Sequence, residues 1–123
     1  MDDIKLPKAS SLKTGMAYAF TAMTKLKEEN FDFTENSLII ITAAGIIYGT
    51  PYFSLPKDNT TDILMDTIHK QAQEMTLSDV PKDDLLLKNA TLITGTGLKQ
   101  FFETLFVFPN DIIAITIGKV SDL

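Results

Sequence analysis

Five short runs of Ile, Leu, Phe and Val, each bounded by a turn signal, constrain the fold of this chain more than any other feature. Runs of this length and composition are typical of β-strands, and Gly, Pro or Asn between them favours tight connections. The predicted strands cover residues 37–42, 46–53, 84–94, 100–108 and 112–120, with turns at 43–45, 95–97 and 109–111. Gly49 and Pro51 predict a bend or bulge in the second strand, and Asn89 interrupts the third.

Two further segments have the three- and four-residue apolar spacing of amphipathic helices. The first runs to about Glu29, and the second covers residues 57–75. The proposed N-caps are Ser10 or Ser11 and Thr60 or Thr61. The stripes expected to face the core are Leu12, Met16, Ala19, Phe20, Met23 and Leu26 in the first helix, and Leu64, Ile68, Ala72 and Met75 in the second.

The order of these elements is helix, two strands, helix, three strands. A chain of 123 residues with 45% apolar content can build one hydrophobic core. We therefore predict a single α+β domain over residues 1–123. Its sheet is expected to be a small, strongly bent, five-stranded antiparallel β-barrel, with an N-terminal helix and a helix inserted between strands two and three.

Two strand motifs resemble those of the Sm-like β-barrel family. The first is a hairpin that ends Gly45-Ile46-Ile47-Tyr48-Gly49-Thr50, and the second is two apolar strands, Phe106-Val107-Phe108 and Ile112-Ile113-Ala114-Ile115, around a tight turn. The resemblance implies a bent barrel whose penultimate and last strands pair between neighbouring copies in a ring. It covers the strands, about half of the chain, and leaves the helix at 57–75 as an insertion.

The residues after these motifs depart from the pattern of the family. Its usual RNA pocket has Asp and Asn after the second Gly, where this chain has Pro51-Tyr52-Phe53-Ser54. Phe108-Pro109 stands where a basic residue and Gly are expected. The resemblance therefore implies the fold without the RNA pocket. The element order also resembles the roadblock- or longin-like layout, which implies a protein-binding scaffold.

The composition excludes several kinds of chemistry. The chain has no Cys, one His and no Arg, and its net charge is −5. Thiolate metal sites and cysteine nucleophiles are absent, and nucleic-acid binding is disfavoured by the acidic charge. His69 lies one helical turn from Asp66 and two from Asp62, and we interpret the group as a solvated helix face rather than a metal site or a general base held by Asp66. We expect no enzymatic activity, no cofactor and no metal.

The N-terminal segment has no apolar stretch of the kind found in secretory signals, and no apolar run is long enough to span a bilayer. These features predict a cytoplasmic protein without a membrane partner.

An excess of apolar residues in the last strands predicts contact with another subunit. The candidate interface residues are Phe101, Phe106, Phe108, Ile113 and Ile115. The leading hypothesis is a homo-oligomeric, non-enzymatic interaction or scaffold domain, forming a ring or a dimer and open to a protein partner. A small RNA-binding regulator is the alternative, with Lys88, Lys99 and Lys119 as possible RNA contacts.

Overall fold

The computed structural model describes residues 12–29, 31–74 and 85–123. The elements in chain order are α1 (Leu12–Met23), β1 (Lys27–Glu28), β2 (Phe31–Asp32), β3 (Ser37–Thr42), β4 (Gly45–Pro51), α2 (Asn59–Glu74), β5 (Leu85–Ile93), β6 (Lys99–Val107) and β7 (Ile112–Gly118). Single 3-10 turns follow β4, β6 and β7. The two-residue strands β1 and β2 form a small hairpin that the sequence did not predict.

The long strands form one antiparallel sheet in the order β6-β5-β4-β3-β7. The predicted α+β class and the five antiparallel strands are confirmed. The sheet is not closed, because among the described residues β6 and β7 are its two edges and no ladder joins them. A hydrogen-bonded barrel is therefore not formed within one chain.

The sheet is nevertheless strongly coiled. Val107 ends β6 opposite Leu85, whereas Ile112 begins β7 opposite Thr42, so the two residues would lie at diagonal corners of a flat sheet. The width of such a sheet alone would separate them by about 19 Å. The link between them is four residues folded into a 3-10 turn, in which the Asp111 amide donates to the Phe108 carbonyl at 2.9 Å. Only a coiled sheet brings these corners close enough for that link.

A bulge between β4 and β5 increases the bend. Tyr48 pairs with Thr91 but Thr50 pairs with Lys88, so β5 carries one extra residue. Asn89 takes a φ of 52° there, a left-handed conformation that Asn tolerates. Gly49 lies against this bulge, where a Cβ atom would be 3.1 Å from the Cα of Ala90. The predicted irregularities at Gly49 and Asn89 are confirmed.

The core fills the inside of the coiled sheet beneath α1. Its buried members are Ala17, Leu38, Ile40, Ile47, Leu85, Leu87, Ala90, Val107 and Ile112. The first helix packs on β7, β3 and β4. The ammonium group of Lys13 donates to the carbonyls of Pro109 and Ile112, at 3.0 and 2.8 Å, and so ties α1 to the β6–β7 connection.

The predicted core face of α1 is largely wrong, although Phe20, one of its predicted members, packs against the core. The helix buries Thr14, Ala17 and Thr21, whereas Leu12, Met16 and Ala19 face outward. Small side chains allow the helix axis to approach the sheet closely, which the larger Leu and Met would prevent.

The predicted end of α1 is also wrong. The helix stops at Met23 rather than near Glu29, and the Thr24 hydroxyl donates to the Thr21 carbonyl at 2.6 Å. The predicted caps Ser10 and Ser11 lie outside the described residues.

The second helix is capped by Asp58, not by Thr60 or Thr61. The Asp58 carboxylate accepts a hydrogen bond from the Thr60 amide at 3.0 Å and one from the Thr61 hydroxyl at 2.9 Å. The predicted stripe is rotated away from the core, since Leu64 and Ile68 are exposed. Met75 lies outside the described residues, as does the side chain of Ala72. The packed side of α2 carries Thr61, Asp62, Met65 and His69.

Candidate interaction surface at the sheet edges

The two edge strands, β6 and β7, form the candidate site. An edge strand presents a row of backbone N–H and C=O groups that another strand can pair with. Both edges belong to the last part of the described chain, and the 3-10 turn Pro109–Asp111 connects them. The coil of the sheet brings the end of β6 and the start of β7 to the same side of the molecule.

The structure exposes three of the five predicted interface residues. Phe101 on β6 is 67% exposed, Ile113 on β7 is 69% exposed, and Phe108 is exposed in the link between them. Phe106 and Ile115 are half-buried, and Ile115 packs against the core. On β7 the division follows from a register shift, because Ile41 pairs with Ala114 but Thr42 with Ile112, so Ile113 is an extra residue that does not share the face of Ile115.

The β7 edge lacks two of the features that normally protect an edge strand from pairing. Soluble proteins place charges, Pro or β-bulges on such edges to prevent association. The sequence of β7, Ile-Ile-Ala-Ile-Thr-Ile-Gly, contains no charged residue and no Pro. The strand does carry a bulge, because Ile41 pairs with Ala114 but Thr42 pairs with Ile112, which leaves Ile113 as an extra residue. The β6 edge carries Lys99 and Glu103, both exposed. The uncharged stretch of β7 after its bulge is a favourable surface for another strand.

A cavity of about 450 Å³ opens at the seam between the β3–β4 turn and the β6–β7 link. Its lining is mainly apolar, with polar groups from Thr42, Asn110 and Asp111. The apolar lining residues are Ala43, Ala44, Ile47, Leu105, Phe106, Val107, Phe108 and Ile113. The exposed residues Phe108 and Ile113 therefore border a concave apolar surface rather than a flat one.

The lysines predicted as RNA contacts have different surroundings. The Lys88 side chain is only 13% exposed, and its ammonium donates to the hydroxyls of Thr61 and Thr104 at 3.0 and 2.8 Å. Lys119 lies 3.7 Å from the Glu35 carboxylate, and Lys99 is exposed at the start of β6. Lys88 and Lys99 are about 17 Å apart along the β5–β6 ladder, since Lys88 pairs with Thr104 and Lys99 with Ile93.

Lys88 belongs to a polar cluster that holds the first turn of α2 on the sheet. Its ammonium is 4.0 Å from the Asp58 carboxylate, and the Tyr52 hydroxyl is 2.9 Å from the Asp62 carboxylate. The hydrogen bond from the Thr61 hydroxyl lowers the pKa of Asp58 below its ordinary value, helped by the Thr60 amide and the charge of Lys88. The sequence Asp-Asn-Thr-Thr at 58–61 contains the capping residue. The predicted caps, Thr60 and Thr61, lie two and three residues after the observed cap, Asp58.

The His69 constellation does not form a metal site. His69 is half-buried and Asp66 is exposed. Within residues 12–29, 31–74 and 85–123 there is no group of three His, Asp or Glu side chains able to hold a metal ion. In the same part of the chain, neither helix combines the length and apolar character needed to cross a membrane.

No protein-family model matches the chain, and no curated protein or solved structure matches it.

Proposed function

We propose that this chain is a non-enzymatic, Sm-like interaction domain that self-associates through its sheet edges. In this proposal β6 of one copy pairs with β7 of the next. The observation that carries it is the pair of open edges, one of them without any charged residue, with Phe101 and Ile113 largely exposed. Pairing would satisfy the free backbone groups and remove these side chains from water.

The strand order supports a head-to-tail arrangement. The edges are the penultimate and last strands, as the Sm-like resemblance requires. Because the two paired surfaces differ, the contact is heterologous, and repetition of it closes a ring when the rotation between copies divides a full turn. The sheet of each copy would then continue into that of its neighbours.

The surroundings of Lys88 support a domain without an Sm-type RNA pocket. Tyr52, which follows the first motif, accepts a hydrogen bond from the Asp58 amide and holds α2 rather than facing a ligand. Lys88 is occupied by Thr61 and Thr104. The net charge of −5 also repels a phosphate backbone.

The test is the solution mass of Ile113→Lys, measured by light scattering during size exclusion with nucleic-acid absorbance on the same peak. The substitution places a charge on the β7 edge, and we expect affinity between copies to fall roughly tenfold or more. The matched control is Ile63→Lys, because Ile63 is 65% exposed and lies on α2, outside both edge strands.

We expect a nucleic-acid-free oligomer for the wild type and for Ile63→Lys, and a smaller species for Ile113→Lys. A wild-type monomer at micromolar concentration would overturn the proposal. An oligomer whose peak carries nucleic acid would favour the RNA-binding alternative.

A further inference from the structure

The cavity between the β3–β4 turn and the β6–β7 link has the size and the lining of a small-molecule site. Ligand sites in proteins are mostly apolar clefts of roughly 300–1,000 Å³ with a few polar groups that orient the ligand. The volume of this cavity is about 450 Å³, roughly three times that of an apolar cavity that holds benzene. The cavity is formed within one chain, so the site is complete without a second copy.

The cavity is apolar at its base and polar at its rim. Ile47 and Val107 belong to the core and line the base, where they are only 6% and 5% exposed. Asn110 and Asp111 line the rim from the exposed side of the β6–β7 link. Because a polar group loses free energy when it is buried without a partner, a matching ligand has an apolar body and its polar group at one end.

The polar groups of the rim mainly accept hydrogen bonds. The exposed carboxylate of Asp111 offers only acceptor oxygens. The Thr42 hydroxyl already donates to the Gly45 carbonyl at 3.1 Å, so it offers its lone pairs to a ligand. The Asn110 amide can both donate and accept. The polar end of the ligand should therefore supply hydrogen-bond donors.

The charge of the lining favours a cation. Among the described residues that line the cavity, Asp111 is the only charged one. The ammonium group of Lys13 reaches the same link, but it is held by two backbone carbonyls and does not line the cavity. The rings of Phe106 and Phe108 are also part of the lining, and the faces of aromatic rings attract cations.

We propose that this cavity binds a small organic ammonium ion, that is, a protonated amine with an apolar alkyl or aryl group. The ammonium donates to the acceptors of the rim, chiefly the Asp111 carboxylate, and the apolar group contacts Ile47 and Val107 at the base. A carboxylate with the same apolar chain fits the base equally well but places its charge against Asp111. The binding does not require the pairing of β6 with β7, because one chain supplies the whole site.

Titration with octylammonium and with octanoate tests this proposal, because the two ions share an apolar chain and differ in charge. Methyl NMR of isoleucine-labelled protein at neutral pH locates the binding. Ile47 and Ile113 line the cavity, and Ile63, exposed on α2, is the remote reference. We expect octylammonium to shift the Ile47 and Ile113 signals until saturation, and to bind about tenfold more tightly than octanoate. The Ile63 signal should not move.

Two matched pairs of variants assign the charge and the cavity separately. Asp111→Asn should weaken octylammonium binding about three- to fivefold without weakening octanoate, whereas Asp66→Asn, which removes an exposed carboxylate from α2, should change neither affinity. Ala43→Leu narrows the cavity from an exposed part of its wall and should weaken both ions. Ala19→Leu adds the same side chain on the exposed face of α1 and should weaken neither.

Three outcomes would overturn the proposal. Octanoate that binds as tightly as octylammonium, or an equal loss in Asp111→Asn and Asp66→Asn, would contradict a cationic ligand. An Ile47 signal that stays fixed at millimolar octylammonium would contradict the site itself. Failure of the self-association proposal is separate from all three, because it is read from the solution mass and not from methyl shifts.

Discussion

Gly45 shows how one residue determines the path of the chain at the turn between β3 and β4. Its φ of 144° lies in the region that L side chains rarely adopt, and a Cβ atom there would overlap the carbonyl oxygen of Ile93 on β5. The φ belongs to the hairpin turn, whereas the close approach comes from the sheet, because Ile93 pairs with Ile46, the residue after the glycine. The first Gly of the motif therefore permits the third strand to approach as well as the hairpin to turn.

We expect Gly45→Ala to lower the free energy of unfolding by about 2–4 kcal/mol, through backbone strain and displacement of β5. The matched control is Gly95→Ala in the β5–β6 turn, where a Cβ atom would have no neighbour within 4 Å. That change should stay within about 0.5 kcal/mol. Urea unfolding followed by circular dichroism measures both variants. Equal midpoints would show that β5 can move away from the turn without cost.

At the scale of elements, the strands were predictable and the helix orientations were not. Turn residues delimit β3, β4, β6 and β7 to within two residues, because Gly and Pro act locally. The prediction for α1 fails for a different reason. A helix with one charged residue has two apolar sides, and periodicity cannot tell which side meets the sheet. Close approach selected the Thr14 and Ala17 side, a tertiary requirement that the local pattern does not contain.

The hydrogen bonds from Lys13, which hold α1 to the β6–β7 connection, give a prediction for this helix. Replacing Lys13 by Met keeps an aliphatic stem but leaves the carbonyls of Pro109 and Ile112 without their donor. We expect a loss of about 1–2 kcal/mol in the free energy of unfolding. Lys25→Met is the control, since the Lys25 ammonium contacts the Ser54 carbonyl at an exposed site, at 3.2 Å. Chemical denaturation of both proteins is the measurement, and an equal effect would mean that water replaces the Lys13 ammonium.

At the scale of the whole molecule, the sequence predicted which segments pair locally but not that β6 and β7 stay unpaired as the two edges of the sheet. The hairpins β3–β4 and β5–β6 follow from their turns. The placement of β7 beside β3 depends on which edge remains free after the others have paired. The excess of apolar residues identified the exposed residues Phe101, Phe108 and Ile113. The contacts of Lys88 with the first turn of α2 could not be predicted in the same way, because they depend on where α2 lies on the sheet.

The apolar character of the edges predicts how the assembly responds to salt. The β7 strand has no charged residue, so pairing through it gains little from Coulomb attraction. We expect the solution mass of the wild type to stay constant between about 0.05 and 1 M sodium chloride. Light scattering at the two ionic strengths checks this. A mass that falls steeply with salt would indicate an assembly held by ion pairs or by bound nucleic acid.

The strand order also determines which strand pairing forms last during folding. The ladder between β3 and β7 joins Ser37 to Gly118, so its formation must close a loop that contains most of the chain. The two hairpins form from neighbouring residues and can precede it. We expect docking of β7 to limit the rate of folding. Until that step, β3 presents its own open side, and the β7 strand of another newly made chain fits it equally well, so crowding during synthesis favours exchange of this strand between molecules.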